Sequence, residues 1–151
     1  MMQLFGKEMN KRYLWLIVLM AYVFVVIFLA VICRDVIDSE GSVKLDLFQC
    51  YYKPTVDSGK DIFVNIVGFI PVGLLVGLIS RRYGVSKALL AGLLLSLTVE
   101  CSQLLWHRGV FDVDDLFNNA LGAMIGGVIA VGIVKKWHSD LTDFTDKETK
   151  Q

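Results

Sequence analysis

Glu100 is the residue whose type and position most strongly suggest chemistry, because it lies inside an apolar run of the chain, 88–106. By insertion scales, an acidic group at the centre of a bilayer costs about 2.5–3.5 kcal/mol. Ser96, Gln103 and His107 stand at i−4, i+3 and i+7 from Glu100, so all four side chains share one helical face. We expect this polar stripe to face the interior of a helix bundle or a wet cavity.

Further polar groups stand near the ends of two other apolar runs, 62–80 and 116–134. Asn65 comes about one helical turn after the start of the first of these runs. Asp115 and Asn119 share a helical face at the start of the second. We predict that these groups converge at one depth, near the outer surface of a membrane, and bind a polar ligand. The predicted binding residues are Asn65, Glu100, Gln103, Arg108, Asp112, Asp115 and Asn119.

The types of these residues leave three interpretations open. In the first, the cluster binds a polar headgroup or a sugar. In the second, it performs acid–base chemistry with Glu100 or Asp115 as the catalytic candidates, although no nucleophile–base pair is evident in the sequence. In the third, the cluster is structural: Glu100 is protonated or paired with Arg108, and the amides form interhelical hydrogen bonds that average under about 1 kcal/mol each.

Metal binding and disulfide bonding are weaker possibilities. The carboxylates of Glu100, Asp112, Asp114 and Asp115 offer oxygen ligands that suit Mg²⁺ or Ca²⁺, but their spacing matches no calcium-binding loop. We therefore predict neither a metal nor a cofactor. The three cysteines show no zinc-type spacing with histidine. We expect free thiols, with a Cys33–Cys50 disulfide as the alternative if both residues lie outside the membrane.

The composition indicates which elements position these groups. Of the 151 residues, 55% are hydrophobic without counting glycine and 20% are charged. Soluble domains average about 45–50% apolar with glycine included and about 25% charged. Four membrane spans of about 20 residues require about 80 residues, which matches the apolar content. The 15 basic and 15 acidic residues cancel, which argues against a nucleic-acid-binding protein that works by bulk positive charge.

We predict an all-α membrane protein, folded as one four-transmembrane-helix bundle over residues 13–136. A cleaved signal peptide is the alternative for the first run, but that run is too long and no small-x-small cleavage site follows it. Gly122 and Gly126 form a G-x-x-x-G pattern, which we expect to mark close packing within the chain rather than a dimer face. The predicted spans are 13–33, 62–80, 88–106 and 116–134, with a flank at 1–12 and a polar, solvated tail at 137–151.

Basic residues flank the predicted spans on one side only. Because basic loops remain cytoplasmic, we predict that both termini lie inside. The segment 34–61 is then extracytoplasmic. Its centre, 43–52, is rich in apolar and aromatic residues, and is either an interfacial or re-entrant element or a loop that caps the bundle. The flanking basic residues are Lys7, Lys11, Arg12, Arg81, Arg82, Lys87, Lys135 and Lys136.

Three blocks of the sequence resemble the VanZ-like family of bacterial membrane proteins. The first block, 65–73, is similar to the family's asparagine followed by Phe-x-Pro-x-Gly, and the second, 96–103, to its glutamate–glutamine helix. The third block, 108–126, contains the most specific pattern. The family's polar signature falls on the seven residues predicted to bind a ligand. One departure is that Asp46 and Leu47 stand where many relatives have isoleucine and proline.

The resemblance implies a multi-pass protein of the bacterial cytoplasmic membrane. The founding member of the family is associated with resistance to the glycopeptide antibiotic teicoplanin. Our leading hypothesis is that the polar pocket engages a cell-envelope lipid or glycan precursor, and so alters envelope composition or glycopeptide sensitivity. Membrane lipids or a lipid-linked precursor are then the partners, and nucleic acid is not. The alternatives are a membrane enzyme acting on a lipid-linked substrate, and a structural accessory subunit of another membrane protein.

Overall fold

The computed structural model describes the backbone of residues 2–33, 43–52, 56–80 and 84–148, and the side chains of 11–33, 43–49, 51–52, 58–80 and 84–137. Four of its helices are long and apolar enough to cross a membrane, so the predicted all-α bundle of four spans is confirmed. Cys33 and Cys101 carry free thiols, as expected. The side chain of Cys50 and residues 34–42 lie outside the described residues, and with them the alternative disulfide.

The described chain forms five helices and two strands of two residues each. Each of the four spans overlaps one predicted run, and their boundaries agree to within about one helical turn. In chain order the elements are α1 (Met2–Ile27) with a π-helical turn (Phe28–Ile32) at its end, β1 (Val43–Lys44), α2 (Gln49–Tyr52), α3 (Val56–Ile79), α4 (Gly84–Leu105), β2 (Phe111–Asp112) and α5 (Val113–Glu148). The spans are Lys11–Ile32, Ser58–Ile79, Gly84–Leu105 and Val113–Trp137.

The polar tail does not separate from the last helix. The predicted span ends at 134 and the predicted tail begins at 137, yet α5 continues through Glu148. Residues 137–148 contain neither proline nor glycine, so no residue in them removes a backbone donor or adds chain entropy. Once a long helix has formed, each added residue gains a hydrogen bond without a new nucleation cost.

Helices α3 and α5 make the closest contact in the bundle, and they run parallel to each other because both begin at the same end. Glycines allow their backbones to touch. A Cβ atom on Gly122 would overlap the carbonyl group of Ile66, and one on Gly126 would overlap that of Ile70. The G-x-x-x-G pattern therefore marks packing within the chain, as predicted. Helix α4 runs antiparallel to both and completes the three-helix core.

Helix α1 lies at the edge of this core. Of its described side chains, only Val31 is buried, and its exposed apolar surface suits contact with lipid tails. The Tyr22 hydroxyl donates a hydrogen bond to the carbonyl oxygen of Gly68 on α3, at 2.9 Å. Near the opposite end of the helix, the Lys11 ammonium lies 4.9 Å from the centre of the Trp137 ring on α5, a cation–π contact. These contacts hold α1 at separated points.

The two ends of the bundle differ in charge. At one, which we call the acidic end, α1 and α4 finish and α3 and α5 begin, and the nearby carboxylates belong to Asp112, Asp114 and Asp115. At the other, the basic end, the helices carry Lys11, Arg12, Lys87, Lys135 and Lys136. The alternating direction of the four long helices therefore brings the basic flanks to one end, as the sequence predicted.

Residues 43–52, which we call the capping segment, cover the start of α5 at the acidic end. β1 pairs in parallel with β2 and fixes one end of the segment. The backbone N–H of Phe48 donates to the carboxylate of Asp114. The Tyr51 hydroxyl donates to Oδ1 of Asn118 at 2.7 Å. Of the two alternatives predicted for this segment, these contacts agree with a loop that caps the bundle.

Candidate functional site

A cavity of about 340 Å³ lies between α1 and the other three long helices, toward the acidic end. Its volume is near the lower limit of about 300–1,000 Å³ that is usual for ligand sites. The wall is largely apolar and includes Val25, Leu29 and Val64. Five of the seven predicted binding residues line its polar part: Asn65, Glu100, Gln103, Asp115 and Asn119.

Glu100 combines a structural contact with its place in the cavity. The residue is only 2% exposed. Its Oε2 accepts a hydrogen bond from the backbone N–H of Asp112 at 3.0 Å. Asp112 immediately precedes α5, so this bond joins α4 to the N-terminal end of α5, where the helix dipole favours a negative charge.

Two amide side chains join the helices that form the wall. Asn65 Nδ2 donates to Asp115 Oδ1 at 2.5 Å and connects α3 to α5. Asn119 Nδ2 donates to the hydroxyl oxygen of Ser96 at 2.8 Å and connects α5 to α4 in a fully buried position. These are interhelical hydrogen bonds of the kind that the structural interpretation of the cluster predicted.

Gln103 connects the cavity to α1. Its Nε2 donates to the carbonyl oxygen of Ala30 at 2.8 Å. Ala30 lies in the π-helical turn, where the N–H of Cys33 donates to the carbonyl oxygen of Phe28 five residues earlier. Single π-helical turns inside α-helices are frequently found at functional sites. Here the turn lies at the end of α1, where the carbonyl oxygen of Ala30 receives its hydrogen bond from the Gln103 side chain of α4.

Gln103 and Asn119 each retain one buried oxygen without a hydrogen-bond partner, Oε1 and Oδ1 respectively. Both residues are 3% exposed, and both line the cavity. Leaving such an acceptor unsatisfied costs about 1–3 kcal/mol, so native structures contain few. Among the described residues no other buried side-chain nitrogen or oxygen lacks a partner, so both exceptions coincide with the cavity.

Arg108 and Asp112, the other two predicted binding residues, do not line the cavity. Arg108 Nη1 donates to the carbonyl oxygen of Ile32 at 2.8 Å, at the end of the π-helical turn. Asp112 Oδ1 accepts the backbone N–H of Asp114 at 2.9 Å and so caps α5. Asp112 Oδ2 lies 3.7 Å from the ammonium of Lys44. Arg108 therefore connects the end of α1 to the turn after α4. Asp112 connects the capping segment to the start of α5.

His107 does not continue the polar stripe of α4. The helix ends at Leu105, and His107 is exposed in the following turn with a φ angle of 51°. A spacing of seven residues places two side chains on one face only while the helix continues. The expectation for His107 is therefore wrong.

Sequence reasoning missed three residues that shape this region. Asn118 is 1% exposed and Asp114 is 5% exposed. The side chain of each accepts a hydrogen bond from the capping segment. Tyr22 lines the cavity from α1. A signal for Asn118 was present: successive helical residues point about 100° apart, so Asn118 and Asn119 together require polar partners in two directions.

The described residues contain no group of three His, Cys, Asp or Glu side chains that could hold a metal ion. The polar groups of the cavity that could contact a ligand are the two amide oxygens without partners and the carboxyl groups of Glu100 and Asp115. Such groups can accept hydrogen bonds from a ligand, and the carboxyl groups can also exchange protons with it. The arrangement can therefore bind a polar head beside an apolar wall.

The sequence profile of the VanZ/LLP1 family matches residues 13–135, which is most of the chain. The matched region contains every residue that lines the cavity. Comparisons with curated proteins and with solved structures gave no match. The long profile match and the four spans agree with the resemblance found in the sequence, and the chain is thus a multi-pass membrane protein that belongs to the VanZ/LLP1 family.

Proposed function

We propose that this VanZ-family protein binds a cell-envelope lipid or a lipid-linked glycan precursor in the cavity beside α1. The observation that supports the proposal is a largely apolar cavity that contains two buried amide oxygens without partners, on Gln103 and Asn119. A ligand with an apolar part and a polar head would contact both kinds of surface. A fully polar ligand would leave the apolar wall uncovered.

The two oxygens favour a ligand over an unoccupied space. An unsatisfied buried acceptor costs about 1–3 kcal/mol, and a ligand donor would remove that cost at each oxygen. Water can also donate to them, but water gains nothing from the apolar wall formed by Val25, Leu29 and Val64. Burying apolar ligand surface against that wall contributes roughly 25 cal/mol for each Å² removed from water.

Helix α1 gives the ligand a route from the bilayer. It contributes Tyr22 and Leu29 to the cavity wall, while only Val31 of its described side chains is buried. A helix with so little buried surface can move away from α3 at a lower cost than the tightly packed α5. A lipid would then reach the cavity sideways from the membrane and would not cross the aqueous phase.

The charge difference between the two ends supports the proposal that the cavity opens toward the outer membrane face. By the positive-inside rule, the basic end faces the cytoplasm, and the acidic end with its cavity faces outward. A ligand held there would come from the outer leaflet of the bacterial cytoplasmic membrane. Withholding or presenting such a ligand would alter envelope composition or sensitivity to glycopeptides such as teicoplanin, the antibiotic with which the founding member of the family is associated.

A cavity-filling substitution tests the proposal. Gly68 lines the cavity, and a Cβ atom added there meets no atom within 4 Å, so Gly68→Leu would extend a side chain into ligand space from an uncrowded position. Gly132→Leu is the matched control, because Gly132 is equally open but lies on α5 away from the cavity. Mass spectrometry of copurifying lipids should find the same bound lipid in wild type and Gly132→Leu, and much less in Gly68→Leu.

Unchanged lipid binding by Gly68→Leu would contradict the proposal. If Gly68→Leu has the melting temperature of wild type and retains the same lipids in the same amount, the cavity does not hold them. A structural accessory role would then be favoured, and crosslinking in membranes should recover a protein partner whose yield does not depend on the cavity residues.

A membrane enzyme that acts on a lipid-linked substrate is the second candidate function, because Glu100 and Asp115 line the same cavity. One carboxyl group would accept a proton from a lipid-linked substrate while the other donates one. Purified protein should then convert labelled lipid-linked precursors, and Glu100→Gln should stop turnover while the substrate still binds. Binding without any turnover by the wild type would remove this candidate and leave the binding proposal.

A further inference from the structure

We infer that the cavity selects a headgroup that presents hydrogen-bond donors, on hydroxyl or ammonium groups, and that it excludes phosphate. The inference rests on the proposed function, because it specifies the chemistry of the ligand at that same site. It follows from the polar atoms that the lining leaves open, from the state of the nearby helix N-terminus and from the size of the cavity.

The two buried side-chain atoms of the lining that have no hydrogen-bond partner are both acceptors. The nitrogens of Asn65, Gln103 and Asn119 already donate to protein oxygens, and the Tyr22 hydroxyl donates to a backbone carbonyl. The amide oxygens of Gln103 and Asn119 are without partners. If the Gln103 amide were rotated by 180°, its oxygen would face the carbonyl oxygen of Ala30, which cannot donate, so the open atom of Gln103 is its oxygen.

The charge of the lining points the same way. It contains the carboxyl groups of Glu100 and Asp115, and it contains no lysine, arginine or histidine. Phosphate groups in proteins are bound by arginine, lysine or clustered backbone N–H groups. A phosphate in this cavity would lie beside two carboxyl groups with no cationic side chain in the wall, whereas a hydroxyl or ammonium group would find acceptors.

Two backbone N–H groups at the start of α5, next to the cavity, already donate to acidic side chains. The first turn of α5 would otherwise offer free N–H groups to a phosphate. The N–H of Asp112 instead donates to Glu100, and the N–H of Asp114 donates to the Asp112 carboxylate. Two acidic side chains thus already accept from N–H groups that an anionic ligand would otherwise use.

The size of the cavity limits how much of a lipid it can hold. A volume of about 340 Å³ suits a small polar head and the adjoining part of a chain, and not a complete diacyl lipid. The remaining tail must lie along the exposed apolar surface of α1. Any phosphate must then lie outside the cavity, whose wall contains neither Arg108 nor Lys44.

Three lipids with identical acyl chains test the selectivity. Glucosyl-diacylglycerol offers hydroxyl donors without phosphate, phosphatidylethanolamine offers an ammonium group, and phosphatidic acid offers phosphate without either of those headgroup donors. Binding to the full-length purified protein can be compared by native mass spectrometry in one detergent. We expect glucosyl-diacylglycerol or phosphatidylethanolamine to bind at least tenfold more tightly than phosphatidic acid, and the better of the two identifies the donor.

Two sets of variants show whether the acceptors are responsible. Gln103→Met, and separately the double variant Ser96→Ala with Asn119→Leu, remove the open oxygens. The double variant also removes both partners of their mutual hydrogen bond, which limits the loss of stability. Each should weaken binding of the preferred lipid by about threefold to tenfold, as expected for one lost hydrogen bond. Ser102→Ala is the matched control, because Ser102 bonds within α4 to Thr98 and does not line the cavity.

The outcomes separate the inference from the proposed function. If phosphatidic acid binds as tightly as the donor lipids and Gly68→Leu blocks it, the cavity binds lipid but the donor selectivity is wrong. The inference is also wrong if the acceptor variants bind the preferred lipid as tightly as Ser102→Ala does. If none of the three lipids binds to wild type in a manner that Gly68→Leu reduces, both the inference and the proposed function fail.

Discussion

At the scale of single residues, the polar side chains of this protein divide between holding helices together and facing the cavity. Glu100 and Gln103 do both. Each makes one hydrogen bond that a structural residue would make, to Asp112 and to Ala30 respectively. Each also lines the cavity. Substitutions at these positions therefore need a stability measurement beside any functional one.

Glu100 offers the sharpest test of the structural contribution. In Glu100→Ala, the N–H of Asp112 loses its acceptor, and we expect the free energy of unfolding to fall by about 1–3 kcal/mol. Glu100→Gln retains a side-chain oxygen that can accept the same bond, so it should lose much less. Denaturant unfolding in detergent micelles measures both. Equal stability of the alanine and glutamine variants would show that this hydrogen bond contributes little.

At the scale of elements, contact between backbones rather than side-chain size holds α3 and α5 together. Gly122 and Gly126 lie against the carbonyl groups of Ile66 and Ile70. Lipid tails are as apolar as leucine, so helices in a membrane associate through close van der Waals contact and interhelical hydrogen bonds instead of through the hydrophobic effect. The glycines provide the first of these, and the bond from Asn65 to Asp115 provides the second.

Gly126 should therefore be intolerant of even one methyl group. A Cβ atom there would overlap backbone atoms of α3, and an overpacked interface typically costs about 1–3 kcal/mol. Gly132→Ala is the control, because nothing lies within 4 Å of its Cβ position and alanine is the better helix former by roughly 0.5–1 kcal/mol. We expect Gly126→Ala to lower the melting temperature and Gly132→Ala to maintain or raise it. Equal melting temperatures would contradict the close contact.

The capping segment should depend on one tyrosine and not on its neighbour. Tyr51 donates to the buried Asn118 of α5, whereas the Tyr52 hydroxyl donates locally to the carbonyl oxygen of Leu47. Tyr51→Phe leaves a buried amide oxygen with one donor fewer, at a cost of about 1 kcal/mol. Limited proteolysis should cleave the capping segment faster in Tyr51→Phe than in Tyr52→Phe. The same cleavage rate in both variants would show that the segment is held by other contacts.

The elements also show where sequence reasoning reached its limit. The four spans followed from hydropathy, and the shared lining by Asn65, Glu100 and Asn119 followed from helical spacing. Arg108 and Asp112 were included in the predicted site but do not line the cavity, because α4 ends at Leu105 and both residues follow in the connection to α5, where Asp112 belongs to β2. The contacts of the capping segment join residues more than 60 positions apart, and no periodic pattern in the sequence encodes such contacts.

At the scale of the whole molecule, the zero net charge conceals a separation. The basic end and its flanking segments contain ten of the fifteen basic residues, while nine of the fifteen acidic residues fall in the segments at the acidic end. Five of the other six acidic residues fall in the segments next to the basic end, and the sixth, Glu100, lies within a span. The orientation that we propose, with the basic end in the cytoplasm, depends on this asymmetry.

Cysteine labelling of intact cells tests that orientation. In a background without native cysteines, a cysteine at Asp57 should react with a membrane-impermeant thiol reagent, and a cysteine at Arg82 should react only after the cells are lysed. The two variants control for each other, since each position belongs to a segment next to a different end of the bundle. The reverse labelling pattern would place the cavity on the cytoplasmic side and exclude an outer-leaflet ligand.

The hydrogen bonds of α1 also determine when the cavity can be completed. The oxygens of Ala30 and Ile32 receive their donors from Gln103 and Arg108, which follow 73 and 76 residues later in the chain. The ring that lies beneath Lys11 belongs to Trp137. Helix α1 is synthesised before the other three spans, and its contact with α3 can form early, but its docking can be completed only after α4 and most of α5 have been synthesised. The ligand site, which all four long helices line, is therefore complete only when the last span is in place.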